Sequence, residues 1–455
     1  RDMVDGQIDV SGGRWQWRLT MKSRQHMGVG AGVAQALDPV GREDGHRWAS
    51  DLTWHDPNIT PDWDLALQAS WMNESARYRF MLFPPGSTIL QPFPDGMFGF
   101  PSTWERHWRL NATALYTGLA DHRVRIGAGY EQEALYKARE LKNFALLYIP
   151  GVGSFPVPLG QMVDATNTSP FITPHSRRVV FAFLQDEWRL APDWALTGGV
   201  RHDRYSDFGS TTNPRLALVW DAAYNVTAKL LYGRAFRAPA FIELYNINNP
   251  VALGNPALKP ETIDSAEAAV AWQPTPQWQL SVDVFRYRLR DEIRYVPHAD
   301  PSTGSTTQNI GTQDGHGLEF EAAWDASRAL RFSGNYAYQR STDVTTRHDA
   351  GLSPRQHLYA RADWRFASAW ALNAQVNHVA QRRRQFGDAR PPVPDYTTVD
   401  LTLRSDSGRG GWEGAIAVRN LFDADVREPS PAPGQIRHDL PMPGRSFYLQ
   451  ATYRL

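Results

Sequence analysis

From Arg177 onward the chain alternates apolar and polar side chains with period two over long stretches, and no helical period of comparable length competes. Phe447, Leu449, Ala451, Tyr453 and Leu455 oppose Tyr448, Gln450, Thr452 and Arg454. Trp370, Leu372, Ala374 and Val376 oppose Asn373, Gln375 and Asn377 in the same way. Val399, Leu401 and Leu403 face away from Asp400, Thr402 and Arg404, as Leu358, Ala360 and Ala362 do from Tyr359, Arg361 and Asp363. Successive strand side chains point to opposite faces, so each segment has one apolar and one polar face. Ionic and amide groups fill the polar face too densely for the interior of a packed sandwich. The chain reads as all-β.

Segment length and spacing choose among β architectures. Soluble sandwiches use strands of about five or six residues. Many segments here run to ten or more, which suits a tilted strand crossing an apolar band about 25 Å tall. Connections alternate between two kinds. Short ones fall at Pro192-Asp193, Asp221–Tyr224, Pro274–Pro276, Asp325–Arg328 and Ala367–Ala369. Long ones fall at Arg237–Pro260, Pro297–Thr312, Thr342–Pro354, Gln381–Asp395 and Asp423–Pro443. Trp188, Trp220, Trp272, Trp324 and Trp364 sit just before short turns, and Trp194, Trp278, Trp370 and Trp412 just after them, counting Asp406–Gly411 as one. Indole is amphipathic and settles at the headgroup level, so this ring marks a membrane interface. The expected fold is a large antiparallel transmembrane β-barrel of outer-membrane type, with its C-terminus periplasmic.

Composition removes other classes. The 455 residues carry 48 basic and 48 acidic side chains, which excludes the basic surface of a nucleic-acid binder. There is no cysteine, hence no disulfide scaffold and no thiolate chemistry. No apolar run approaches the roughly 18 residues that a membrane helix needs. The first third is less regular. Trp15–Met21, Arg47–Trp54, Trp63–Met72, Trp104–Tyr116 and Arg123–Tyr136 read as strands, and Ala138–Pro174 as a large extracellular excursion. About eighteen or nineteen strands are expected in all.

Three stretches resemble the barrel of TonB-dependent outer-membrane receptors, the family that takes up siderophores, cobalamin and haem. Phe236, Arg237, Ala238 and Pro239, then Glu243-Leu244-Tyr245, then Asn255, Pro256 and the run to Glu261 are similar to its FRAP–ELY–NPxLKPE segment. Asn420, Leu421, Phe422 and Asp423 are similar to its NLFD sequence, and Pro443-Gly444-Arg445 leads into a terminal strand of the kind the barrel-assembly machinery reads. Phe183–Tyr205 resembles a mid-barrel hairpin of these receptors. A proline after Arg237 removes a ladder donor and ends pairing, so these boxes read as structural more than ligand-binding. One departure is the last residue, Leu455, where the family usually ends in an aromatic.

The resemblance implies about 22 strands around a globular plug. Residues 1–455 are accordingly expected to be one barrel, N-terminally incomplete at about 18–19 of 22 strands, with the plug domain missing. It further implies active uptake of a ferric siderophore or similar scarce nutrient through the TonB energy-coupling complex. A haem or cobalamin receptor of the same family is one alternative. A passive porin-like channel is another, and a soluble β-rich enzyme or sugar binder a third.

No catalytic constellation and no cofactor motif emerges. Gly28–Gly32 lacks the context of a phosphate loop, and the 13 histidines show no metal-ligand spacing. Haem-uptake members of the family carry a histidine between the two boxes, whereas Ala240–Gly254 holds none. That loop offers Phe241, Tyr245, Asn246 and Asn249 for stacking and hydrogen bonding to a chelate. Arg384, Phe386, Arg427 and Arg437 in other long loops suit an anionic one. The cluster Arg382-Arg383-Arg384 also suits lipopolysaccharide phosphates.

Overall fold

The computed structural model describes residues 2–30, 38–299, 304–351, 353–405, 411–430 and 438–454. The main element is a 20-stranded sheet. Nineteen of its strands form one continuous antiparallel wall in chain order. The first ten are Asp2–Gly12, Trp15–Gly28, Arg42–Thr60, Trp63–Phe83, Met97–Tyr116, His122–Ile149, His175–Ala191, Trp194–Tyr205, Gly209–Ala223 and Val226–Arg237. The other nine are Glu261–Trp272, Trp278–Arg290, Thr312–Ser327, Leu330–Asp343, Pro354–Ala367, Trp370–Arg382, Tyr396–Ser405, Gly411–Arg419 and Ser446–Arg454. The twentieth, Gly153–Asp164, pairs only with the far half of His122–Ile149. Among the described residues, Asp2–Gly12 pairs only with Trp15–Gly28, and Ser446–Arg454 only with Gly411–Arg419.

Register converts the period-two pattern into two faces. Val270, Val282, Phe320, Tyr336 and Leu358 align across five strands as one row. Of these, Val270, Val282, Phe320 and Leu358 are exposed, as residues facing lipid must be. The neighbouring row runs Ser281, Glu321, Asn335, Tyr359, Asn377 and Thr398, which is the polar, lumen-facing set. Aromatic rings on the wall lie across glycines of the next strand. A Cβ on Gly317 would stand 2.4 Å from the Phe285 ring, and one on Gly129 2.4 Å from Phe181. Glycine is needed there for the ring to lie flat.

At the short-turn end tryptophans meet across strands. Trp194 stacks on Trp220 at 5.1 Å and Trp278 on Trp324 at 5.0 Å, while Trp63 meets Tyr116 at 4.8 Å. This is the interface belt that the sequence placed at that end.

Two corrections concern the first third. Asp2–Gly12 is a strand that the sequence reading passes over. Trp63–Phe83, Met97–Tyr116 and His122–Ile149 run to 21, 20 and 28 residues, far past the segments expected. About ten residues cross an apolar band, so the remainder stands above it. Outside the band no apolar face is demanded, the alternation lapses, and the strand becomes illegible. Part of Ala138–Pro174 is thus strand: the wall strand continues to Ile149 and returns as Gly153–Asp164. The dry cores lie at this end too. One joins Leu82, Phe93, Met97 and Phe144, and the other Leu135, Phe171, Ile172 and Phe241.

Candidate functional site

The connection Arg237–Pro260 folds over the long-loop end. Pro239 ends the ladder, and a single turn of helix, Phe241–Tyr245, follows. Arg237 forks between two carboxylates, at 2.7 Å from Glu261 and 2.9 Å from Glu243. Glu243 in turn accepts the Ala240 N–H at 2.8 Å and so caps the helix. The Glu243 carbonyl accepts from the Asn255 N–H (2.9 Å) and the Thr307 hydroxyl (2.7 Å). Asn255 donates its amide to the Thr307 carbonyl at 3.1 Å. Ala252–Leu253 pairs with Ser305–Asn309, and that strand with Ile293–Pro297, making a three-stranded sheet. Of the remaining box residues, Phe236 sets its ring edge-on to Tyr205, Ala238 is half-buried, and Pro256 is exposed on the Asn255 turn.

Arg177 ties this lid to the wall. It is 4 % exposed and lies 2.7 Å from Asp207 and 3.7 Å from Glu133. It also donates to the Pro239 carbonyl at 2.8 Å. The rings of Phe208 and Phe241 each lie 5.0 Å from its guanidinium carbon. This role is illegible in the sequence, because Arg177, followed by Arg178 near the start of a strand, looks like any other wall residue.

Beneath the lid is a cavity of about 480 Å³. Phe241, Asn246 and Asn249 line it, with Phe80, Phe144 and Tyr295 from the wall strands and loops. Tyr245 is not in the lining. Its ring stacks on His175 at 3.7 Å, and burial pushes its phenol above the ordinary value, disfavouring the phenolate that would ligate iron. Glu140 lines the same cavity, 4 % exposed, and accepts the Phe171 N–H at 2.8 Å. Burial raises its carboxyl to about 7 against the opposing pull of Lys142. Lys142, 1 % exposed, is lowered by burial and donates to the Ser169 carbonyl at 2.6 Å.

The other loop residues expected to bind ligand form a separate cluster. Arg384 lies 2.6 Å from Asp439 in a bidentate pair, its side chain 7 % exposed. Arg382 is buried, with Tyr396 beneath it and the Arg427 and Pro394 carbonyls accepting from it. Two of the three cations in Arg382–Arg384 therefore hold loops together, which corrects the reading of this run as an open basic patch. Phe386 is exposed and meets His348 at 4.4 Å, and Arg427 lies 2.8 Å from Asp425. None of these residues lines the cavity. Arg437 lies outside the described residues.

Asn420, Leu421, Phe422 and Asp423 build a turn. Asn420 holds φ at +50° while its amide exchanges two hydrogen bonds with the Ala424 backbone. The Asp423 carboxylate accepts the Arg445 N–H at 2.8 Å, joining the turn to the last strand. The Arg445 guanidinium donates to the Leu421 carbonyl, and Phe422 projects outward, 73 % exposed.

Residues 12–421 match the family described as TonB dependent receptor-like, beta-barrel. The chain belongs to that family. This TonB-dependent receptor barrel is 27% identical over 266 residues to the iron-regulated outer membrane virulence protein of Vibrio cholerae, covering 54% of the chain and 40% of that protein. It is 25% identical over 323 residues to the ferric enterobactin receptor of Pseudomonas aeruginosa, covering 61% and 42%. The chain thus spans less than half the length of these curated relatives. Its fold is similar to that of the ferric-catecholate import receptor Fiu of E. coli K12. There the TM-score is 0.70 at 14% identity, covering 99% of this chain and 74% of that one. The family consists of transport receptors, with siderophore, cobalamin and metal-complex receptors among the relatives.

Proposed function

We propose that the full-length protein to which this barrel belongs takes up a ferric siderophore across the outer membrane of a Gram-negative bacterium. The TonB complex supplies the energy. The cavity under the Arg237–Pro260 lid carries this reading, because it joins aromatic walls to amide groups at the long-loop end of a family barrel. That end faces the outside and the C-terminus faces the periplasm. The protein is a transporter and not an enzyme. Residues 1–455 are the barrel, and the plug that contacts TonB and completes the ligand site lies outside them. Outer-membrane lipid and lipopolysaccharide surround the apolar rows, and the barrel-assembly machinery inserts the chain through its terminal strand. No cofactor is required.

A chelate is favoured over haem because the lid Arg237–Pro260 holds no histidine and burial raises the Tyr245 phenol, disfavouring its phenolate. A strain with the full-length receptor as its sole iron route is expected to grow on ferric siderophore and not on haemin. Growth on haemin that Tyr245→Ala abolishes would overturn the assignment.

A further inference from the structure

We infer that the chelate taken at this cavity is neutral or positively charged and rich in hydrogen-bond donors, of the hydroxamate type, and not a polyanionic catecholate. The inference rests on the siderophore reading above and narrows it.

The apolar part of the cavity, including Phe80, Leu82, Phe144, Phe171 and Phe241, discriminates little between chelates. Its polar groups decide. Three carboxylates line it, Glu105, Glu133 and Glu140, against a single cation, Arg177. That cation is already engaged by Asp207, the Pro239 carbonyl and Glu133. Lys142 is close in sequence to Glu140 but is not in the lining, and it donates to the Ser169 carbonyl. Two amide donors of the lining are also in use. Asn248 donates to the Pro170 carbonyl and Asn246 to the Ala252 carbonyl. A carbonyl can only accept, so the second bond fixes the Asn246 amide and leaves its Oδ1 facing the other way. Asn246 is 5 % exposed, and this buried oxygen has no partner.

The site therefore offers an unpaired buried acceptor, the Asn246 Oδ1, and more carboxylates than cations in its lining. A buried acceptor left unpaired is costly, and a ligand N–H or ammonium group relieves that cost. An anion entering the same space would meet carboxylates through a low dielectric, where repulsion is strong. Ligand charge follows from chelate chemistry. Three hydroxamates cancel the charge of ferric iron, whereas three catecholates leave a trianion.

The test uses the full-length receptor in de-energised cells lacking other iron receptors, with radiolabelled iron in three probes. Ferrioxamine B is a cationic trihydroxamate, ferrichrome a neutral one, and ferric enterobactin a trianionic tricatecholate. Both hydroxamates are expected to bind at least roughly tenfold tighter than enterobactin. Glu105→Gln should weaken ferrioxamine B about tenfold and ferrichrome several-fold less, the mark of a charge effect. Equal losses for both hydroxamates would show a structural role only and overturn the inference. Binding of enterobactin alone would overturn it while leaving the siderophore reading intact. Failure of every chelate to bind would remove both.

Discussion

Two buried ionic residues at the cavity rim set its behaviour at the scale of single side chains. Arg177 compensates Asp207 and Glu133 and holds the Pro239 carbonyl. Arg177→Met strands those carboxylates in a desolvated place, a change that typically costs about 3–5 kcal/mol. The lid Arg237–Pro260 is expected to become protease-sensitive while the wall keeps its heat-modifiable gel mobility. An intact lid in the variant would refute the role. Glu140 adds a pH response. Its carboxyl is raised from 4.5 to about 7, so the folded site favours the protonated form. The stability it contributes is fully present below about pH 4.5 and is lost as pH rises through about 7. Hydrogen exchange at the Phe171 amide should accelerate between about pH 6 and 8 beyond the intrinsic rate. Glu140→Gln, which still accepts that N–H, should abolish the excess. Neither residue was legible in the sequence. Their importance comes from burial by chain segments far away, and period-two patterning carries no trace of that. Phe241, Asn246 and Asn249 were legible because the boxes around them fix where their loop lies. Arg384 misled because an exposed run of arginines and a buried, paired one look alike until Asp439 is seen beside it.

At the scale of the strand, alternation was read where the wall crosses the apolar band and missed where strands rise above it. Val282 sits in the exposed apolar row and Ser281 in the lumen row, one residue apart. Val282→Arg is expected to cost roughly 2–4 kcal/mol of barrel stability in a bilayer, and Ser281→Arg close to none. Urea unfolding of the two variants in vesicles checks this, and equal midpoints would contradict the facing assigned to the wall. The tryptophan belt was equally legible, because Trp194–Trp220 and Trp278–Trp324 bracket turns too short to leave the interface. His122–Ile149 and Gly153–Asp164 were not. In water their pairing rests on backbone ladders and on cores such as Phe144 with Met97, which need no alternation.

For the whole molecule, wall and lid divide the work. The wall supplies a lipid-compatible cylinder segment, and the long first-third strands with the Arg237–Pro260 loop build a chamber at one end. Passive flux and energised uptake make opposite demands on such an assembly. A pore works without energy, whereas a receptor releases its ligand only when TonB acts. The most direct measurement is uptake of radiolabelled ferric siderophore through the full-length protein in matched strains with and without TonB. Accumulation is expected with TonB, and surface binding without accumulation in its absence. Equal accumulation in both strains would contradict energised uptake.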